Sequence, residues 1–173
     1  MNILVTGGTG FVGKALVTAL LSRGDTVTVL TRSIEKAQSI FPEKTPQFLT
    51  ALSALNNLND FDAVVNLAGE PIFDKRWTAQ QKEKLRHSRI DLTQQIVQLI
   101  NQSEYPPALI SGSATGIYGN CGDEQITENT NPSTQFTAQL CIDWENAAKQ
   151  ANTRVCLVRT GLVLSPKGGA FAK

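Results

Sequence analysis

Short apolar runs alternate with amphipathic stretches along the chain. Asn2 to Thr6 is a compact apolar run, and Phe11 to Leu21 shows helical periodicity after a glycine-rich turn. Asp25 opens a turn into a second strand over Thr26 to Thr31; a short helix over 33–40 and a short third strand over Gln47 to Thr50 follow. The continuous apolar run FDAVVNL, Phe61 to Leu67, reads as a fourth strand. Thr78 and Gln81 have the spacing of a capping box and open a long amphipathic helix to about Gln102, closed off by Pro106 and Pro107. Ala108 to Ser113 is a fifth strand, 114–133 a long polar loop, Thr134 to Asn152 a further helix and Arg154 to Thr160 a sixth strand. Strand and helix alternate throughout. That predicts an α/β fold, a doubly wound parallel sheet in the order 3-2-1-4-5-6. A loop as long as 114–133 in a compact domain points to a functional role.

The first turn carries the clearest chemistry. Gly7, Gly10 and Gly13 stand at G-x-x-G-x-x-G spacing between a strand and a helix, the order of the phosphate cradle in a Rossmann-type dinucleotide-binding domain. Gly7 permits the tight turn, Gly10 lets the backbone approach a pyrophosphate, and Gly13 lets the helix pack on the strand. Thr9, Phe11 and Val12 complete the turn and open the helix, whose free N–H groups and positive dipole end face an anion. Leu67, Ala68 and Gly69 lie along the expected path of the cofactor, the last two leaving room for its ribose.

In NAD-binding versions a carboxylate near the end of the second strand holds the ribose 2′-hydroxyl. Here the strand ends Leu30-Thr31-Arg32-Ser33, and Glu35 lies a few residues further on. Arg32 has the planar fork that pairs with a 2′-phosphate, and Thr31 and Ser33 can donate hydrogen bonds. NADP(H) is therefore favoured over NAD(H), against a competing reading of Arg32 as a solvated surface side chain.

The chain has 173 residues, enough for a domain with a real core. Its net charge of +1, without a basic stripe, argues against nucleic acid or a membrane surface as the main partner. No apolar run approaches the ~20 residues of a membrane span. The first strand begins at Asn2, which leaves no room for a targeting peptide. Cys121, Cys141 and Cys156 lack metal-ligand spacing and read as reduced core or loop thiols of a cytoplasmic protein. Residues 1–161 are expected to form the dinucleotide-binding domain. Residues 162–173 would begin the connection to a missing C-terminal substrate domain, so that the chain is an N-terminal fragment; the alternative is a frayed natural terminus.

TGGTGFVG, NLAG at Asn66 to Gly69, SGSATGIYG and VRTG at 158–161 resemble the extended short-chain dehydrogenase/reductases. More narrowly, NLAGEPI, RWT…K…SRI…T and the Trp144-Glu145 pair resemble an atypical subgroup, the NAD(P)-dependent epimerase/dehydratase-like epimerase family proteins (YfcH-like). The resemblance covers essentially the whole chain. It implies that longer members add a smaller substrate-covering domain. Ser111, Thr160 and Gly161 would then neighbour the cofactor, and Ser113 would be the active-site hydroxyl. SATGIYG carries one residue more than the usual SATVYG, so Ser111 or Thr115 could share that role.

The Tyr-x-x-x-Lys pair of the wider family, in which the lysine lowers the tyrosine pKa for acid–base work, is absent. Anchored on Glu145, its two positions fall on Thr137 and Cys141. Tyr118 is the best phenol available, with a structural tyrosine as the competing reading. His87 reads as a solvated helix residue, Lys82 and Lys149 as surface residues, Trp144 as core, and Glu145 as pairing locally. Arg89 contacts the active-site side of its helix or caps a carboxylate. Two functions stay open. One is an NADP(H)-dependent oxidoreductase or epimerase acting on an unknown small carbonyl or sugar-like substrate. The other is a non-catalytic NADP(H)-binding regulatory or scaffolding protein, for which the resemblance offers a cell-division role. The helices starting near Thr78 and Thr134 are where the superfamily commonly pairs into a homodimer.

Overall fold

The computed structural model describes residues 1–42, 45–166 and 168–169. Its strands are β1 (Asn2–Thr6), β2 (Thr26–Leu30), β3 (Gln47–Leu49), β4 (Ala63–Asn66), β5 (Ala108–Ala114) and β6 (Val155–Thr160). The helices are α1 (Phe11–Arg23), α2 (Ile34–Ile40), α3 (Ala79–Asn101) and α4 (Phe136–Ala148). All six strands pair in parallel, in the order β3-β2-β1-β4-β5-β6. The predicted doubly wound sheet is therefore the fold.

β1 shows why the sheet sits in the middle. Ile3, Leu4 and Val5 are all buried, as expected of a central parallel strand covered on both faces. Side-chain alternation sends Ile3 and Val5 into one core with Val17 and Leu20 of α1 and Val27 and Val29 of β2. Leu4 points the other way, into a core with Val64, Ile96, Ile100 and Leu109. The helix pairs thus divide between the two faces, α1 on one and α3 with α4 on the other.

Several boundaries differ from the sequence expectation. α4 starts at Phe136 rather than Thr134, because Ser133 anchors the loop: its N–H donates to the Ile117 carbonyl and its hydroxyl accepts from Gln135 N. α4 ends at Ala148, where Gln150 and Ala151 donate to the carbonyls of Ala147 and Ala148 in a tighter final turn. At α3 only half of the capping box forms. Thr78 accepts from Gln81 N, but the Thr78 N–H goes to the Arg76 carbonyl and the buried Gln81 Nε2 has no partner. The 114–133 loop begins as a 3-10 turn over Thr115–Ile117, and Ile117 and Tyr118 pack in a small core with Cys141.

Cys121 is a loop thiol and Cys141 a core thiol, as expected, but Cys156 is exposed on the edge strand β6. Beyond β6 a short hairpin forms, β7 (Leu164–Ser165) with β8 (Gly168–Gly169). Of the connection expected over 162–173, residues 167 and 170–173 lie outside the described residues. Among the described residues no helix is long and apolar enough to cross a membrane.

The carboxyl ends of the central strands are locked by buried polar side chains. Thr6 Oγ1 donates to Asn66 Oδ1 at 2.7 Å, and Asn66 Nδ2 donates to Thr93 Oγ1 at 2.8 Å. The same Thr93 oxygen accepts from Trp144 Nε1 at 3.0 Å and donates to the Arg89 carbonyl at 2.6 Å. Replacing Thr93 by the isosteric Val strands two buried N–H donors. We expect Thr93→Val to lower the unfolding free energy in urea by about 3 kcal/mol. A loss below about 0.5 kcal/mol would show that the network adds little to stability.

Candidate functional site

The glycine turn fits its expected role in detail. Gly7 has φ +70°, and a Cβ there would stand 2.7 Å from the Leu67 carbonyl carbon and oxygen. A Cβ on Gly13 would meet the Gly7 oxygen at 2.1 Å. A side chain at Gly7 would push the turn off the end of β4, and one at Gly13 would push α1 off the turn. Gly10 is the N-cap of α1 and donates its N–H to the Gly7 carbonyl at 3.0 Å. No capping side chain covers the start of α1, so its first-turn N–H groups are open to a ligand.

A cleft of about 1060 Å³ runs across this turn. Gly7, Thr9, Gly10, Thr31, Arg32, Ser33, Leu67, Ala68 and Gly69 line it together. Gly13 is buried behind the turn, while Phe11 and Val12 are exposed beside it. Gly168 of the terminal hairpin lies so close that a Cβ on it would stand 2.5 Å from the Phe11 ring. Ser111 sits elsewhere: it is fully buried inside β5, in register with Asn66. Thr160 and Gly161 are exposed at the end of β6 and do not line the cleft.

At the β2 end, Thr31 and Ser33 shape the backbone. Thr31 Oγ1 donates to the Ser33 carbonyl; Ser33 caps α2, accepting from Lys36 N and donating to Glu35 Oε2 at 2.8 Å. Glu35's own backbone N–H and the Ser33 hydroxyl hold its carboxyl below the ordinary range. Lys36 also lines the cleft beside Arg32, a second cation that strand-end reasoning missed. Its position on the first turn of the helix, four residues after Arg32, was the available signal.

The expected catalytic pair is tied into one buried ion pair. Glu145 is 2% exposed, and Arg159 grips both its oxygens, Nε to Oε1 at 2.7 Å and Nη2 to Oε2 at 2.9 Å. Ser113 Oγ donates to the same Oε1 at 2.7 Å. Arg159 Nη1 donates to the Tyr118 hydroxyl at 2.6 Å and to the Glu128 carbonyl at 2.9 Å, which pins the long polar loop. Ser113 and Arg159 are register partners on β5 and β6, so their side chains meet on one face. Glu145 was expected to pair locally. Lys149 does lie 3.8 Å from it, but the main partners are strands away. The Arg159 hydrogen bonds hold the Glu145 carboxyl below its usual range despite burial, and the Arg159 guanidinium is held correspondingly more firmly protonated.

Thr137 lies beside Gly116, with its Cβ 3.9 Å from where a Cβ on that glycine would stand, and Cys141 is buried next to Ser113 and Ala114. Burial pushes the Cys141 thiol up, so it stays protonated at neutral pH. His87 is exposed on α3 between Glu83 and Asp91. Among the described residues Arg89 hydrogen-bonds no carboxylate; it donates to the carbonyls of Glu70 and Leu85, and the Glu70 charge favours its protonated form. Among the described residues no cluster suits a metal ion.

A doubly wound sheet with a glycine cradle at the β1–β4 crossing defines a dinucleotide-binding protein of the short-chain dehydrogenase type. Residues 3–172 match the model of the NAD dependent epimerase/dehydratase family, and the chain belongs to that family. It is 41% identical to the chloroplastic epimerase family protein SDR39U1 homolog of Arabidopsis thaliana, across 99% of this chain and 52% of that protein. Human epimerase family protein SDR39U1, solved with NADPH, superposes with a TM-score of 0.86 at 32% identity, over 99% of this chain and 57% of the other. A nucleoside-diphosphate sugar epimerase of Corynebacterium glutamicum gives 0.78 at 33% identity, over 99% and 36%. The chain spans about half the length of the curated relatives it matches.

Glu145→Gln leaves Arg159 without its counter-charge. We expect a loss of about 3 kcal/mol at pH 7, the low end for a buried pair because Arg159 is partly exposed. The folded carboxyl titrates below its ordinary 4.5, so its contribution is complete above that value and fades as pH falls through the lower folded one. Urea midpoints of wild type and variant should therefore converge in acid. A gap that stays constant with pH would rule out the ion pair as its cause.

Proposed function

We propose that this chain is the NADP(H)-binding part of an oxidoreductase or epimerase acting on a small carbonyl or sugar-like substrate. The observation that carries the reading is the cleft across the glycine turn, with Arg32 and Lys36 on the wall at the β2 end. The nearest carboxylate there, Glu35, is engaged by Ser33 and does not line the cleft. Glu70, the carboxylate that does line the cleft, follows β4, whereas Arg32 and Lys36 stand at the β2 end, and two cations there suit a 2′-phosphate better than a bare 2′-hydroxyl. NADPH in the human relative supports the same choice for this chain.

When bound, NADPH supplies the hydride. The chain's own contribution is to fix where the cofactor and a hydroxyl stand. Gly7 and Gly10 admit the pyrophosphate to the start of α1. Ser113 donates its hydroxyl hydrogen bond to Glu145, which leaves the lone pairs of its oxygen to accept from a substrate hydroxyl. The Tyr118 oxygen accepts from Arg159 and keeps its own proton free to donate. The three free thiols suit a reducing compartment such as the cytoplasm. Packing of α3 against α4 supplies the two-helix face through which a homodimer would form.

One observation favours a second reading, a non-catalytic NADP(H)-binding regulator. Both candidate hydroxyls are already partners of the Glu145–Arg159 pair, as purely structural residues would be. Ser113→Ala and Tyr118→Phe in the whole protein decide between the two: unchanged NADPH-dependent turnover in both would remove their catalytic roles.

Calorimetric titration of this chain tests the cofactor. NADPH should bind more tightly than NADH, and Arg32→Ala should weaken NADPH by roughly ten-fold or more while leaving NADH little changed. Equal affinities for the two nucleotides in the wild type would overturn the preference.

A further inference from the structure

The connection that leads into α3 and the start of α4 meet in a cluster outside the cofactor cleft. Trp77 and Phe136 pack with ring centres 5.7 Å apart, and the Lys82 ammonium stands 4.9 Å from the centre of the Phe136 ring. Trp77 is fixed by its Nε1–H, which donates to the Ile72 carbonyl at 2.7 Å, yet it remains 38% exposed. Both helices follow strands of a parallel sheet, so both begin at its carboxyl edge, the edge that carries the glycine turn and Ser113. Thr137, next to Phe136, lies beside Gly116 in the loop that follows Ser113.

This cluster is rich in open donors. The N–H groups of Ala79 and Gln80 precede the first intrahelical acceptor of α3, and at α4 the N-cap Gln135 makes no side-chain capping bond. Neither helix carries an acidic residue in its first turn, so neither positive dipole end is neutralised there. Among the described residues Lys82 forms no ion pair; its charge sits over the Phe136 ring. Gln81 carries the argument furthest. It is only 7% exposed, and its buried Nε2 has no hydrogen-bond partner. Side chains on a helix lean toward its N-terminus, which directs this amide to the open first turn. A buried donor left unmet costs stability, and an acceptor brought by a ligand would relieve it.

Resting on the small-substrate reading above, we propose that this cluster is an oxyanion subsite of the substrate pocket. The substrate is then a carbonyl compound that carries a carboxylate or phosphate on a flat apolar body. Gln81 Nε2, the Lys82 ammonium and the open N–H groups of α3 receive the oxyanion, and Trp77 with Phe136 holds the apolar part. Charge-assisted hydrogen bonds to a partly desolvated oxyanion are expected to favour it over a neutral analogue by about ten-fold or more.

The test is titration of the chain, with and without NADPH, by three probes: phenylglyoxylate, its neutral methyl ester, and phenyl phosphate. Phenylglyoxylate should bind about ten-fold or more tightly than the ester. Gln81→Met and Lys82→Met should each cut that preference to about three-fold or less while changing ester affinity by less than about two-fold. Lys82→Met, at a partly exposed position, decides the matter if the Gln81 variant does not fold. The bound acid should also change the emission of Trp77, and Trp77→Phe should remove that change. Phenyl phosphate binding tighter than phenylglyoxylate would name phosphate as the oxyanion, and weaker binding would name carboxylate. Equal affinity for acid and ester, no saturable binding of any probe, or a preference that survives in both Met variants would each overturn the proposal. Wild type that binds NADPH but shows no preference removes this subsite and leaves the cofactor reading standing. Wild type that binds no NADPH removes the cofactor reading, and the preference measured without nucleotide then decides the subsite alone.

Discussion

The buried amide of Asn66 holds the carboxyl edge of the sheet in place. It lies where β4 ends, and its oxygen and nitrogen are shielded from solvent. Thr6 takes the oxygen and Thr93 the nitrogen, which ties β1, β4 and α3 at one point. Trp144 brings α4 to the same threonine. Thr6 Oγ1 then accepts from Ala68 N, so the turn leaving β4 is drawn toward the glycine cradle. Close approach of Gly7 to Leu67 is the geometric result. The cradle is therefore shaped by β4 and α3 as much as by its own glycines, since each unsatisfied buried group would cost about 1–3 kcal/mol.

A second buried polar unit stands two strands away. Glu145, Arg159, Ser113 and Tyr118 join α4, β6, β5 and the start of the polar loop through one carboxylate. Such a pair adds modest stability over an apolar replacement, but breaking it is costly because the surviving charge stays buried. This makes it a good positioning device: the geometry around Ser113 is all or nothing. It also explains how the site can lack a Tyr-x-x-x-Lys pair and still be ordered. With Thr137 and the protonated Cys141 in those positions, the fixed charges beside Ser113 come from Arg159 and Glu145 instead.

What the sequence revealed and what it hid separate along physical lines. Hydrophobic periodicity is local, so the strand order and the glycine cradle were legible from runs such as NILVT and FDAVVNL. Polar pairing is long-range. Ser113 and Glu145 are 32 residues apart, and no pattern along the chain announces their hydrogen bond. Glu145 offered a tempting local partner at i+4, Lys149, which is present but secondary. Lys36 lies outside the strand-end pattern, and it is the first turn of α2 that brings it back to the cleft. The exposure of Cys156 and Val158 is not written in their own segment: β6 reads as apolar as an interior strand, and its edge position follows only from the strand order of the whole sheet.

Arg32 on the cleft wall and Arg89 behind Gly69 hold charge by different physics. Arg32 is exposed on the wall, where water and salt screen it and its pull on an anion extends no further than a Debye length of about 8 Å. Arg89 is largely withdrawn from water, stacked on Trp144 and fixed by backbone carbonyls, where a charge acts at short range but with far less screening. An exposed cation can adapt to its ligand and tolerates being left empty. A buried one must be held rigidly, because every unmet donor there is a desolvation cost. The Asn66–Thr93–Trp144 network supplies that rigidity: Thr93 bonds the Arg89 carbonyl while Trp144 packs on its guanidinium, so the groups that close the sheet edge also aim the buried charge. Stability and site geometry are then one constraint at this edge, and a change in the network should not be able to loosen the fold without also moving Arg89.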